Sequence, residues 1–160
     1  MPVIYHPTPI GFARIEDEAN LICSVTVTEI AGEDATEPSP AVLTAARQLD
    51  EYFAGKRLVF DFAFRQKGSD FQQGVWEHLC AIPYGKTISY AQLSKRMNNP
   101  LAIRAIASAN GKNNLWIIVP CHRVIGSDGS LTGYAGGLWR KQWLLEHEAH
   151  VQGVGQISLF

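Results

Sequence analysis

The spacing of apolar residues in this 160-residue chain changes period at Lys67-Gly68, and that change constrains the fold more than any other feature. Before it lie short β-prone runs, Val3-Ile4-Tyr5, Gly11–Ile15 and Leu21–Val27. Pro9 and Gly11 mark one turn between them, and the acidic Glu16–Asn20 stretch marks another. A polar loop, Ala31–Glu37, leads to Ser39-Pro40, an N-cap followed by a proline suited to the first helical position. Val42, Leu43, Ala46, Leu49 and Phe53 then recur at helical spacing until Gly55 stops the helix. Leu58–Phe64 alternates again, with Phe60, Phe62 and Phe64 on one face, which predicts a half-buried strand.

Downstream the pattern is helical. Ser69 can cap a helix whose apolar stripe is Phe71, Val75, Trp76 and Leu79, closed by Pro83-Tyr84-Gly85. Ser89 can cap a short helix through Met97. Asn98-Asn99-Pro100 then forms a tight turn, with the proline opening another helix to about Asn110. Two short helices joined by such a turn are the outline of a helix-turn-helix. Leu115–Val119 is a buried apolar run ending at Pro120-Cys121-His122-Arg123-Val124, and a glycine-punctuated loop precedes a last helix from Leu138 to about His147. The expected class is α/β of the α+β kind. A small antiparallel sheet-plus-helix lobe spans residues 1–67, a mostly helical lobe with the helix-turn-helix spans 68–150, and 151–160 is a tail.

Charge divides the chain at nearly the same place. Residues 1–69 carry ten acids and six bases, net −4, whereas 70–150 carry five acids and eight bases, net +3, so a polyanion would bind the second half. The overall net charge of −1 excludes a protein that coats nucleic acid by bulk electrostatics. No apolar run approaches the roughly 18 residues that cross a bilayer, and the first residues lack the pattern of a secretory signal. The expectation is a cytoplasmic protein without a membrane partner. Three cysteines (Cys23, Cys80, Cys121) and no CxxC pair argue against a disulfide framework and against a metal site.

Cys121 differs from the other two in its surroundings. Pro120 makes the chain leave the apolar run abruptly at the thiol, and His122 and Arg123 are groups whose positive charge would lower a thiol pKa. Neighbouring side chains diverge in an extended segment, so His122 would reach the sulfur through a water, with an acid such as Glu148 orienting the imidazole. The alternative reading is a packed or solvated histidine.

These residues resemble the active-site signature of the O6-alkylguanine-DNA alkyltransferases. The resemblance rests on Pro120–Val124 followed by Gly133-Tyr134-Ala135-Gly136-Gly137. It extends through Phe71-Gln72-Gln73, Ile82–Thr87, Ser89-Tyr90, Arg104-Ala105, Ala109–Asn113 and Trp143–Glu148. It covers about residues 70–148 closely and the first lobe in outline. It implies irreversible, single-use transfer of an alkyl group from O6-alkylguanine in duplex DNA to Cys121, with base flipping and no cofactor, and it admits O4-alkylthymine as a further substrate. It implies that His122, Glu148 and a water draw the proton from Cys121, that Asn113 braces the cysteine segment, and that Tyr90 donates to guanine N3. Val124, Tyr134, Ala135 and Lys141 would line the pocket or hold its loop. Arg104 would fill the space left in the base stack, with Ser89, Pro100, Ala105, Ala109, Asn110 and Arg123 also at the DNA. A monomer is expected, with cooperativity on DNA left open.

The chain departs from the family pattern at Asn114, Ile103, Ala107 and Ala135, none of which touches the nucleophile. Three rival readings make different predictions. A non-catalytic lesion-binding module has no use for the cysteine. A helix-turn-helix regulator tolerates Cys121→Ser, and a cysteine hydrolase turns over.

Overall fold

The computed structural model describes residues 3–35 and 37–157, with side chains described as far as 153. It divides into two compact units, one built from residues 1–67 and 114–118, the other from 68–113 and 119–160.

In the first unit, β1 (Val3–Thr8), β2 (Gly11–Glu18) and β3 (Leu21–Thr28) form an antiparallel sheet in that order. The acidic stretch expected to turn remains in the strand through Glu18. Asp17 is buried and accepts a hydrogen bond of 2.7 Å from the Ser39 hydroxyl, so its charge has an inward partner. The turn is confined to Ala19 and Asn20, both at positive φ (53° and 65°), the conformation that matches strand twist in a two-residue hairpin. Cys23 is an extra residue in β3, where Glu16 pairs with Ser24 but Asp17 with Ile22. This bulge lets both Ile22 and Val25 face the core despite their odd spacing.

Helix α1 (Pro40–Phe53) starts as expected, with the Ser39 hydroxyl accepting from the Val42 N–H, and packs on all three strands through Val42, Ala45, Leu49 and Tyr52. The half-buried strand expected at 58–64 does not form. Leu58, Val59 and Phe64 are exposed, and the segment touches the sheet at one bridge, Ile22 with Phe64. Its alternation is expressed as a chain of ring contacts, Phe60 to Phe62 to Phe64, and its backbone is held by side chains such as Gln48 and Arg57. The returning segment 114–118 adds a second bridge to β3, Val25 with Leu115. It then turns at Ile117, whose φ of 73° is strained for a β-branched residue.

In the second unit, α2 (Asp70–Cys80) and α3 (Tyr90–Arg96) each begin with a full capping box, Ser69 with Gln72 and Ser89 with Gln92. Helix α4 (Ile103–Gly111) packs against both, and the Trp76 indole donates to the Ala109 carbonyl at 3.0 Å. Pro100 does not open α4. It lies in the preceding turn, closed by Ala102 N–H to Asn99 O, and the helix starts at Ile103 without a side-chain cap. A 3₁₀ turn (Cys121–Arg123) leads into β5 (Val124–Ile125), which pairs in parallel with β4 (Ile88–Ser89). That pairing ties the start of α3 to the segment just after Cys121. Helix α5 runs from Leu138 to Ile157, well past the expected end near His147, while 158–160 of the expected tail lie outside the described residues. Among the described residues, no helix is long and apolar enough to cross a membrane.

Candidate active site

Cys121 and the groups named here around it belong to the second unit. Asn113 follows α4 and is buried, and its amide donates to the Val119 carbonyl at 2.9 Å. The Cys121 N–H closes on the same carbonyl and the Arg123 N–H on that of Pro120, giving a tight turn where an extended segment was expected. The brace expected of Asn113 therefore falls on the residue two before the thiol.

Cys121 is buried, and its thiol is pushed from an ordinary 9.0 to about 11 by that burial, against a hydrogen bond from Asn113 and the charge of Lys141. The positive charges expected from His122 and Arg123 do not activate it. Burial drives the His122 pKa down, leaving a neutral imidazole, and the Arg123 guanidinium is engaged elsewhere. At neutral pH the resting nucleophile is a thiol, so its proton must leave during the reaction. The raised pKa also has a stability consequence. The fold favours the protonated thiol, so the contribution is whole below pH 9 and lost as pH rises toward about 11. Relative to Cys121→Ala, the wild type is expected to lose about 3 kcal/mol over that window, read from urea midpoints.

His122 is fully buried, with Nε2 at 2.7 Å from Glu148 Oε2. Burial alone would raise the Glu148 pKa, but hydrogen bonds from His122 and Arg123 and the Arg123 charge hold it well below the usual carboxylate range. An ionised carboxylate only accepts, so Nε2 carries the imidazole proton and Nδ1 presents a lone pair. That Nδ1 is buried and has no hydrogen-bond partner among the described residues. Arg123, expected at the DNA, is instead buried and forks onto Glu148, with Nε to Oε1 at 2.8 Å and NH2 to Oε2 at 3.0 Å. A third bond joins its NH1 to the Ile82 carbonyl, and the guanidinium lies 5.5 Å from the centre of the Tyr84 ring. The Gly85 N–H adds a fourth donor to Glu148. Gly85 has φ of 74°, a conformation that favours glycine, and a Cβ there would displace the end of the Gln152 side chain.

On the other side of the thiol, the Tyr90 hydroxyl accepts from Asn110 Nδ2 at 3.2 Å, and its pKa is raised by burial. The Lys141 ammonium is buried and donates to the Thr132 carbonyl at 3.0 Å, fastening the loop that carries Tyr134 and Ala135. Tyr90, Tyr134 and Lys141 all feel the charge of a Cys121 thiolate.

Pro100, Arg104 and Ala105 are exposed around the start of α4. Ala109 and Asn110, expected on the same DNA-facing surface, are buried because their side of α4 faces α2 and Tyr90. The Ser89 hydroxyl is occupied in capping α3, and Val124 is buried at the β4–β5 pairing. Sequence reasoning missed Tyr84, the Ile82 carbonyl and the Gly85 N–H, since a turn motif carries no sign of a partner more than forty residues away. Among the described residues, no group of three His, Cys, Asp or Glu side chains is placed to hold a metal ion.

A helix-turn-helix that also encloses a thiol beside a His–Glu pair defines a protein joining a helical docking surface to cysteine chemistry. Residues 70–150 match the family described as 6-O-methylguanine DNA methyltransferase, DNA binding domain. A methylated-DNA–protein-cysteine methyltransferase of Methanosarcina barkeri is 53% identical over 104 residues, 65% of this chain and 66% of that protein. The Mycobacterium bovis protein of the same name is 43% identical over 145 residues, 88% of each chain. The crystal structure of Mycobacterium tuberculosis OGT in complex with DNA superposes with a TM-score of 0.82 at 41% identity, covering 93% of this chain and 92% of that one. The chain belongs to the O6-alkylguanine-DNA alkyltransferase family, the methylated-DNA–protein-cysteine methyltransferases.

Proposed function

We propose that this protein repairs O6-alkylguanine in duplex DNA by moving the alkyl group to its own Cys121, once per molecule and without a cofactor. The observation that carries this reading is the buried Cys121 followed by a neutral His122, whose Nδ1 is open and whose Nε2 is held by Glu148. The Cys121 proton passes to His122 Nδ1, directly or through a water. The sulfur then forms a bond to the alkyl carbon as the carbon–O6 bond breaks. A hydrogen bond from the Tyr90 hydroxyl to N3 offsets the negative charge on the departing guanine, which regains its proton at N1 from water, and a thioether remains on the protein. A thioether is not hydrolysed under these conditions, so each molecule acts once.

The alkyl carbon inside a duplex is not open to in-line attack, so the nucleotide must be flipped out, at a cost of a few kcal/mol. Arg104, exposed on α4, is assigned to the space left in the stack, with Pro100 and Ala105 beside it. Tyr134, Ala135 and Val124 are assigned to the pocket wall, and Lys141 to holding its loop. DNA contact and chemistry are both placed in residues 68–150, and the protein is taken to act as a monomer in the cytoplasm.

The test is intact mass after incubation with excess duplex carrying one O6-methylguanine. Wild type is expected to gain a single methyl, mapped to Cys121, while Cys121→Ser gains none. Tight lesion binding with no mass change would replace the transfer reading with a lesion-binding module.

A further inference from the structure

Arg123 is the least expected member of the buried cluster. It follows the nucleophile by two residues, yet its guanidinium turns inward, makes two parallel bonds to Glu148 and a third to Ile82 O, and is almost wholly buried. We propose that Arg123 is a positioning residue for alkyl transfer. Its fork holds Glu148 as a pure hydrogen-bond acceptor, which fixes the His122 proton on Nε2 and keeps Nδ1 free to receive the proton of Cys121. The inference rests on the transfer reading for its purpose, but its physical content concerns His122 alone and can be measured without DNA.

The argument is one of charge and of donor count. The buried cluster of Arg123, Glu148 and neutral His122 sums to zero. The other charged or titratable groups facing it are few. Lys141 on α5 acts on His122, and the hydroxyls of Tyr84 and Tyr134 sense Glu148 and remain neutral because burial raises both. Without Arg123 the cluster would hold an uncompensated carboxylate in a low-dielectric site, a costly state that is relieved by taking up a proton. Whether that proton makes an imidazolium or a carboxylic acid bonded to Nε2, the result is a hydrogen on Nδ1. The acceptor assigned to the Cys121 proton is then lost. A bidentate guanidinium suits this duty because its planar fork satisfies both carboxylate oxygens at once.

The experiment follows the His122 ring nitrogens by NMR in free wild type, Arg123→Gln and Arg123→Lys from pH 5.5 to 8.5, alongside single-turnover methyl transfer over the same range. Wild type is expected to stay neutral with hydrogen on Nε2, and its transfer rate to be flat. Arg123→Gln is expected to show His122 taking up a proton at Nδ1 as pH falls, with transfer dropping toward tenfold per pH unit on that limb and recovering at higher pH. Arg123→Lys keeps the charge and loses the fork, so it is expected to transfer more slowly with a flat profile. The proposal is overturned if His122 in Arg123→Gln keeps a free Nδ1 across the range, or if transfer falls equally at every pH. Should Arg123→Gln not fold, an acidic limb in Arg123→Lys matching a titrating His122 would overturn it, and a flat profile would support it. Failure of the transfer reading shows differently, as an unmodified wild type with the His122 signals still as expected.

Discussion

Glu148→Ala is expected to destabilise the protein by about 3–5 kcal/mol and to stop alkyl transfer. The substitution leaves Arg123 as a buried, uncompensated cation and removes the partner that orients His122, and breaking a buried ion pair from one side carries a cost of that size. In a chain of this length it corresponds to a fall in Tm of about 10 °C or more. The loss of transfer has a separate cause and should be present below the melting range, since the imidazole no longer has a fixed tautomer. Glu148→Gln separates the two effects, because it keeps the shape of the side chain and one acceptor while removing the charge. Calorimetry and single-turnover transfer on both variants check this. A Glu148→Ala protein that melts within a degree of wild type would remove the buried cluster from the account of stability.

Arg104→Ala is expected to act on a different step. Arg104 is exposed on α4, and surface substitutions away from packed features change stability by less than about 0.5 kcal/mol. Flipping a nucleotide costs a few kcal/mol, so losing the side chain proposed to fill the gap should slow transfer from duplex DNA on the order of 100-fold. Transfer from a free O6-alkylguanine base, which has no stack to leave, should be unchanged. The ratio of the two rates is the measurement. An equal loss on both substrates would place Arg104 outside base flipping. Leu101 (96% exposed) and Ile103 (41% exposed) flank this arginine and present bulky apolar side chains on the surface assigned to the DNA.

What was legible in the sequence was local. Ser39, Ser69 and Ser89 sit immediately before helical runs, and each caps the helix it announces, because a cap is a contact between residues three apart. The core face of α1 and the hairpin strands follow from periodicity for the same reason. Cys121, His122, Asn113, Tyr90 and Glu148 were named together through the family resemblance, and the structure gathers them in one unit.

Two of the failures were contacts between distant residues, and the third was a local turn. Leu58–Phe64 alternates like a strand, but strand pairing needs a partner along its length, and β3 offers it only one bridge. Pro100 fits a first helical position by type, whereas the turn closed by Ala102 and Asn99 delays α4 to Ile103. Arg123 reads as a surface cation beside a nucleophile, yet its partners are 25 and 41 residues away, beyond the reach of any local pattern.

Helix α5 also acts as a ruler. Lys141 and Glu148 lie seven residues apart on it, which is about two turns and 10.5 Å, so both project from nearly the same side. One end of that interval holds the loop of Thr132, and the other holds His122. Substitutions on the outer face between them leave the interval intact. Inserting or deleting one residue between 142 and 147 turns one end by about 100° relative to the other, so loop and relay cannot both be held. Across relatives, the length of this stretch should therefore vary far less than its composition.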